Sequence, residues 1–354
     1  MINVPFLKNP SGGSLGIDIG THSIKIVELS GGINNVVLEN YGEVFLRDFV
    51  DKDPVKETAG SFLYSSSEIA EALKYLLNEM GVKSKRAYFV LPDFVSFFTS
   101  FTLPPMKKEE IGSAVEFHSR QYIPLPISEV ALDWFVDDNK EGEEIKVNLV
   151  AVPNDIVEQY QEIANLAGVD IISLESEMFA LVRALTKNED GVVAIADIGE
   201  QSTLLAIGEK GKLKTTHSLE IAGNILIEQV AKSADIEYNE ARELIMAYGI
   251  AEESIRRIVA SLATSLFSEI SRVINIFEKK ENKKIKEVIV AGGFSLLPGV
   301  LGYAKEQIDK KVVAKNCFDI TKYPDVLHEE LMQISPSHVI AMGAALIDIE
   351  KQAE

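Results

Sequence analysis

Hydrophobic positions along the chain alternate with polar ones in a sheet-like rhythm at first and a helical one later. Residues 15–19 (Leu-Gly-Ile-Asp-Ile) predict a short buried strand ending at Gly20. Residues 24–29 are rich in β-branched side chains and predict a second strand, which Gly31 and Gly32 close. Residues 36–46 continue the antiparallel pattern. Over 67–80, Ile69, Leu73, Leu76, Leu77 and Met80 fall on one helical face, and Gly81 supplies the stop. Strands are predicted at 88–91, 95–103, 132–136 and 147–152, with helices at 108–122 and 155–167. Prolines 92, 104, 105, 124, 126 and 153 punctuate the junctions, and 88–170 reads as a compact α+β insert within a larger lobe.

The second half opens with a repeat of the first. Ile17-Asp18-Ile19-Gly20-Thr21-His22-Ser23 returns as Ala196-Asp197-Ile198-Gly199-Glu200-Gln201-Ser202, about half the chain away. Both copies follow apolar residues and lead into another apolar strand. That distance is too long for a solenoid period and predicts two related lobes facing each other. Residues 209–212 predict a hairpin turn, 224–233 and 239–248 helices, and 255–277 a long helix with one apolar face from Ile255 to Phe277. A strand at 287–291 runs into Gly292-Gly293. The last helix, 337–350, carries Ala341, Gly343, Ala344 and Ala345, a composition suited to close helix packing.

Composition narrows the function classes. Across 354 residues, 35 Lys and Arg face 54 Asp and Glu, a net charge of −19 that disfavours nucleic acid and anionic lipid surfaces as general partners. A single cysteine, Cys317, excludes a disulfide framework and a cysteine-rich zinc module. The uncharged stretch 288–304 is broken by Gly292, Gly293, Pro298 and Gly299, so no spanning helix is expected there. The start has no apolar run of signal-peptide length, and a cytoplasmic location is expected, without direct membrane insertion.

The chemistry rests on the repeated turns. A glycine turn between antiparallel strands lets backbone N–H groups approach an anion. An Asp at the strand end can hold magnesium through water, the role read here for Asp18 and Asp197. Two such turns, one per lobe, would clamp a polyphosphate, with Lys25 as a nearby point charge. Each turn alone reads equally as an ordinary hairpin whose Asp caps its own turn. Ala291-Gly292-Gly293-Phe294-Ser295 suits either contact with a nucleobase or close helix–strand packing. Walker-type, dinucleotide-fingerprint, zinc-protease and nucleophile-elbow motifs are absent from the sequence, and the five histidines are scattered.

These segments resemble the actin-like ATPase superfamily. Residues 17–25 and 196–203 are similar to its two phosphate motifs, 289–295 to its adenosine motif, and 337–347 to its lobe-linking helix. Within it, the opening strands, Leu103-Pro104-Pro105-Met106, Gln121-Tyr122-Ile123-Pro124, Leu132-Asp133-Trp134 and Ala180-Leu181-Val182-Arg183-Ala184 resemble the PilM family of type IV pilus assembly, more closely than the related FtsA. The resemblance implies a bilobed α/β actin-like ATPase fold with an inserted subdomain 1C. The implied partition is a flexible 1–14, subdomain 1A over 15–87, 1C over 88–170, a connecting helix of 1A over 171–190, 2A over 191–220 and 287–336, 2B over 221–286, and a return helix over 337–354. It further implies ATP and Mg²⁺ in the interlobe cleft, hydrolysed slowly at most. The implied nucleotide contacts are Asp18, Gly20, Thr21, His22, Ser23 and Lys25, then Asp197, Gly199, Gln201 and Ser202, then Gly223 and Asn224, then Gly292, Gly293 and Phe294. Glu177 is either the carboxyl nearest an attacking water or a charge at a helix N-terminus. The implied partner is the N-terminal cytoplasmic peptide of a PilN-like membrane protein, in a groove between 1A and 1C, together with other pilus assembly components. The protein would sit peripherally at the inner membrane through that partner, and its polar end after Ile349 differs from the amphipathic anchor of FtsA.

One segment departs from the pattern. Where the family carries Ala-Glu-x-x-Lys beside ribose and adenine, this chain has Ala241-Arg242-Glu243-Leu244-Ile245, which places Arg242 and Ile245 at the family's Glu and Lys positions. His22 stands where a small Ser is usual, near the expected terminal phosphate. A nucleotide-free scaffold, a filament-forming cytoskeletal protein and a small-molecule kinase remain as alternatives.

Overall fold

The structure is a computed structural model, which describes residues 2–3, 13–49, 64–136, 144–251 and 253–351. In chain order, the first lobe is built from β1 (Ile2–Asn3), β2 (Ser14–Ile19), β3 (Ser23–Gly32), β4 (Asn35–Phe45), α1 (Ser66–Glu79) and β5 (Arg86–Leu91). An insert follows, comprising β6 (Phe97–Leu103), α2 (Lys108–Ser119), β7 (Val130–Val136) and β8 (Ile145–Pro153). The chain returns to the first lobe through α3 (Asn154–Ala167), β9 (Asp170–Ser176) and α4 (Glu177–Thr186). The second lobe contains β10 (Val192–Ile198), β11 (Thr203–Glu209), β12 (Lys212–Leu219), α5 (Gly223–Ala234), α6 (Tyr238–Tyr248), α7 (Arg256–Glu281), β13 (Ile285–Ala291), α8 (Val300–Gln307) and β14 (Val312–Val313). Last comes α9 (His328–Lys351).

The repeat extends to topology. The first sheet has the order β1-β9-β5-β2-β3-β4 and the second β12-β11-β10-β13-β14. In each, an antiparallel meander (β2-β3-β4, β10-β11-β12) joins its first strand to a parallel neighbour, β5 or β13. Alternation along the strands explains the layering. Val193 and Ile195 face α4 and α9 between the sheets, whereas Val192, Ala194 and Ala196 face the outer helices of the second lobe. Likewise Val27 and Leu29 point inward while Ile24 and Ile26 face the core of α1 and α3. The two central helices meet closely. A Cβ on Gly343 of α9 would lie 2.1 Å from the Ala180 carbonyl oxygen of α4, so only glycine allows that approach.

Several boundaries differ from the sequence reading. The insert expected over 88–170 has its own sheet, order β6-β8-β7, only between Phe97 and Pro153. β5 pairs with β2 and β9, and α3 packs on α1, because their apolar faces complete the core of the first lobe. The connecting segment 171–190 begins as strand β9 and turns helical only at Glu177. Ile2–Asn3, inside the expected flexible start, pairs antiparallel with β9, Ile2 opposite Leu174. Residue 1, residues 4–12 and the polar tail 352–354 lie outside the described residues. The final helix starts at His328, ahead of Pro336. Its added turns are held by Leu331, fully buried in the central core, and Pro336 uses its carbonyl to accept the Gly292 N–H at 2.8 Å. The long helix α7 ends at Asn282 in a left-handed cap, φ 50°, with Lys279 and Lys280 in its last turn.

Among the described residues no helix is long and apolar enough to cross a membrane.

Candidate functional site

The two repeated turns face each other across a cleft of about 330 Å³. They are built alike. The Gly20 N–H donates to the Ser23 carbonyl at 3.0 Å, and the Gly199 N–H donates to the Ser202 carbonyl at the same distance. Each turn closes a hairpin whose first strand ends in an Asp, and both acids are nearly buried at 8% exposure. Burial pushes the Asp18 carboxyl above its ordinary value, with Lys25 opposing. Burial and then Asp18 carry Asp197 to about 7. Glu177, at the first position of α4, is raised well above the carboxylate range by burial, then by Asp93 and Asp197. Glu177 starts a helix and lines the cleft.

Of the sequence-derived site residues, Asp18, Gly20, Thr21, His22, Ser23, Lys25, Glu177, Asp197, Gly199, Gln201, Ser202, Gly292, Gly293 and Phe294 line this cleft. Gly223 and Asn224 do not. They brace the second turn from behind: the Gly223 N–H donates to the Gly199 carbonyl at 3.1 Å, and the Asn224 N–H to that of Glu200 at 2.7 Å. Gly223 is further fixed by contact, since a Cβ there would enter the Phe294 ring. Gly292, at φ 86°, lies so close to Ile198 that a Cβ would fall 2.4 Å from its carbonyl oxygen. That approach ties the Gly-Gly segment to the strand ending at the second turn.

Lys25 is less free than the sequence implied. Its ammonium donates to the Ser23 hydroxyl at 2.8 Å and lies 3.5 Å from Glu43, which is also the acceptor for the Ser23 O–H at 2.6 Å. Lys25 and Glu43 are paired in register across β3 and β4. Among the described residues, no three His, Cys, Asp or Glu side chains gather closely enough to hold a metal directly. Three carboxyl groups with raised pKa, from Asp18, Asp197 and Glu177, form a set that a hydrated divalent cation would neutralise.

Ile245 is not a site residue. It is fully buried among the apolar side chains of the second lobe, together with Ala241 one turn before. Helical spacing turns the next pair, Arg242 and Met246, into the cleft. Ile245 therefore offers the cleft neither a charge nor a hydrogen bond, as expected of isoleucine at the family's Lys position. Glu243 points to Arg47 of the first lobe, 3.8 Å distant, at the mouth.

Several cleft residues carry no signature in the motif reading: Glu43, Phe45, Pro92, Phe94, Met246 and Leu296, while Glu200, Arg242, Ser337 and Ile340 lie in segments that reading quoted without naming them as contacts. Asp93 was also missed. It accepts the Ser202 hydroxyl proton at 2.9 Å and joins the lobes behind the turns. The antiparallel register opposite Lys25 was the one signal that pointed to Glu43.

The family described as type IV pilus assembly protein PilM matches residues 16–349. A solved chain of the PilM-PilN type IV pilus biogenesis complex has the same fold, with a TM-score of 0.83 at 24% identity, over 96% of this chain and 99% of that one. Ethanolamine utilization protein EutJ from Carboxydothermus hydrogenoformans superposes with a TM-score of 0.56 at 18% identity, over 97% and 92% of the two chains. MreB 5 of Spiroplasma citri, solved with AMPPNP, gives 0.54 at 13% identity over 98% of each. Cell division protein FtsA of Staphylococcus epidermidis is 27% identical over 106 residues, which cover 30% of this chain and 23% of that protein. The chain thus spans about a quarter of the length of the curated relatives it matches. The fold is the bilobed actin-like one, as expected.

Proposed function

The chain belongs to the PilM family of type IV pilus assembly proteins, and from that premise we propose that it binds Mg²⁺·ATP in the interlobe cleft and the N-terminal cytoplasmic peptide of a PilN-like membrane protein beside the insert. The observation that carries the nucleotide half is the matched pair of turns, each closed by a glycine N–H at 3.0 Å and each preceded by a buried Asp. Backbone N–H groups of the two turns hold the phosphates, and Asp18 and Asp197 hold the cation through its water shell. Bound there, the metal supplies charge neutralisation to phosphates that face a mainly acidic lining. Gly292, Gly293, Phe294 and Met246 also line the cleft and are the residues proposed to receive the base. Glu177 is the carboxyl proposed to orient a water, and its pKa is raised by burial, then by Asp93 and Asp197. Hydrolysis is proposed to be slow at most.

Two observations support the partner half. The described fold is that of the chain in the PilM-PilN complex. On the side next to the insert, β9 is paired by only two residues, Ile2–Asn3, in antiparallel register, and a partner segment could pair along the rest of that side. Through such a partner the protein takes a peripheral place at the inner membrane as part of the assembly platform.

The test is calorimetry with Mg²⁺·ATP and with a synthetic PilN-like N-terminal peptide. Micromolar ATP binding, lost in Asp18→Ala and Asp197→Ala while the peptide still binds, is the expected result. Peptide binding without heat at millimolar ATP would leave a nucleotide-free scaffold. Absence of both would overturn the proposal.

A further inference from the structure

The second turn contains an acid for which phosphate binding has no use. Glu200 follows Gly199 directly and its side chain is only 9% exposed. Arg242 Nε lies 3.2 Å from its Oε2, and the Tyr238 hydroxyl donates to its Oε1 at 3.1 Å, both from α6 of the same lobe. Across the cleft, His22 Nδ1 of the first turn is 3.2 Å from the same Oε1. Both ring nitrogens of His22 are nonetheless buried without a hydrogen-bond partner in satisfactory geometry. His22 is held neutral: burial first, then Arg242, Arg47 and Lys25, lower it to about 3.

Arg242 is thus spent on an internal carboxylate, and an uncharged imidazole faces that carboxylate from the other lobe. The remaining charges along the cleft sharpen the point. Asp18, Glu43, Glu177, Asp197 and Glu200 line it against the cations Lys25 and Arg242, and Lys25 is already engaged by Ser23 and Glu43. A polyphosphate entering between the turns meets an excess of acid among the described lining residues, and the cation beside the second turn, Arg242, is held by Glu200.

We infer that Glu200 is a resident anion at the phosphate end of the cleft, occupying Arg242 as a phosphoryl group would, so that a nucleoside polyphosphate binds by turning the Glu200 carboxylate out and taking Arg242 in its place. The inference rests on the nucleotide reading above and adds to it a residue that sets affinity. Like charges brought together in a nearly buried site are strongly unfavourable, and an unpaired buried arginine is costly too, so Glu200 holds the empty cleft together while opposing the ligand.

The experiment measures equilibrium binding of Mg²⁺·ATP, inorganic tripolyphosphate and adenosine to the full chain, its Glu200→Gln and Glu200→Ala variants, and the double variant Glu200→Gln/Arg242→Gln. Thermal unfolding of each free protein verifies folding, and Glu200→Gln keeps the shape of the side chain if Glu200→Ala does not fold. The expected result is binding of ATP and tripolyphosphate tighter by about tenfold or more in Glu200→Gln, with adenosine unchanged and the gain lost in the double variant. If the parent protein binds ATP and Glu200→Gln binds it no better, or gains equally for adenosine, the role given to Glu200 is wrong while the nucleotide reading stands. If neither the parent nor any variant binds ATP or tripolyphosphate at millimolar concentration, both are overturned.

Discussion

The backbone N–H of Asp93 donates to Glu177 Oε1 at 3.0 Å, which fixes the first carboxyl of α4 beside the cleft floor. Asp93 in turn receives the Ser202 hydroxyl at 2.9 Å. The start of the central helix, the loop after β5 and the second turn are therefore joined through one residue. A consequence is a concentration of acid: Asp18 raises Asp197, both raise Glu177, and each of the three is raised by burial first. Proton binding to this cluster should be visible in the stability of the free protein.

Asp197 gives the cleanest case. Its ordinary value of 3.8 rises to about 7, through burial first and then Asp18, with Lys25 opposing. The folded protein keeps a proton that the unfolded chain releases between those values, so this contribution to stability is full below about pH 4 and is lost as the pH rises toward 7. His22, lowered to about 3 mainly by burial, contributes the opposite slope between about 3 and 6.5. The readout is therefore the difference between Asp197→Asn and the parent in denaturant melts. The variant should gain on the parent steadily from pH 4 to pH 7.5, by at most about 4 kcal/mol. A difference that does not change with pH would refute the assignment.

How far the sequence reaches is clear from particular residues. The turns at Gly20 and Gly199 were legible because the same short pattern occurs twice, and repetition is visible without a structure. The orientation of α6 was legible as well, but in a different signal from the one used: Ala241 and Ile245, one turn apart and apolar, mark the buried face and leave Arg242 and Met246 for the cleft. The resemblance set Ile245 at the family's Lys position, and helical periodicity puts it on the buried face. Placement of β5 and α3 was not legible, because a strand such as Arg86–Leu91 has the same apolar content whichever sheet receives it. Pro336 concealed the first turns of α9 for a similar reason: local preference argues for a break, and burial of Leu331 outweighs it. Asp93 and Glu200 act only through partners distant in the chain, Ser202, Arg242 and His22, and no local pattern reveals such pairs.

The buried pair of Glu175 and Arg183 should be costly to break from one side. Arg183 donates to both carboxylate oxygens of Glu175, with Nη2 to Oε2 at 2.8 Å, and also to the Gly343 carbonyl at 2.8 Å. The Glu175 side chain is 3% exposed, whereas Glu350, which meets Arg183 Nε at 3.2 Å, is 33% exposed. Glu175→Ala leaves a buried guanidinium without its main partner and should cost about 3–5 kcal/mol. Glu350→Ala, which removes only the solvent-exposed partner, should cost about 1 kcal/mol or less. Chemical denaturation of the two variants checks the contrast, and similar losses would mean that the pair is not the unit described.

Close approach of the central helices makes a second stability test. A methyl group on Gly343 would sit 2.1 Å from the Ala180 carbonyl oxygen and 2.7 Å from its Cα, all rigid backbone. Gly302, inside α8, has open space at the same position. Gly343→Ala should therefore destabilise by about 1–3 kcal/mol or more through overpacking. Gly302→Ala should stabilise by up to about 1 kcal/mol through helix propensity. Melting temperatures that move in the same direction for both would contradict the geometry.

The paired turns differ in one measurable respect. An alanine Cβ at Gly20 would lie 3.2 Å from the Ser23 carbonyl oxygen, a contact relieved by a few tenths of an ångström. At Gly199 the corresponding distance to Ser202 is 2.8 Å, and the Gly199 carbonyl is itself the acceptor for Gly223 at the head of α5. Gly199→Ala must move the turn against that anchor, while Gly20→Ala need only relax it. If backbone N–H groups of the turns hold phosphate, displacing the second turn forfeits a hydrogen bond to a charged group, worth about 1.5–3 kcal/mol. Gly199→Ala should then weaken Mg²⁺·ATP binding by about tenfold or more, with Gly20→Ala weakening it by less. Calorimetric titrations of the two variants decide the matter, and equal effects, or the larger one at Gly20, would show that the second turn is not the tighter half of the clamp.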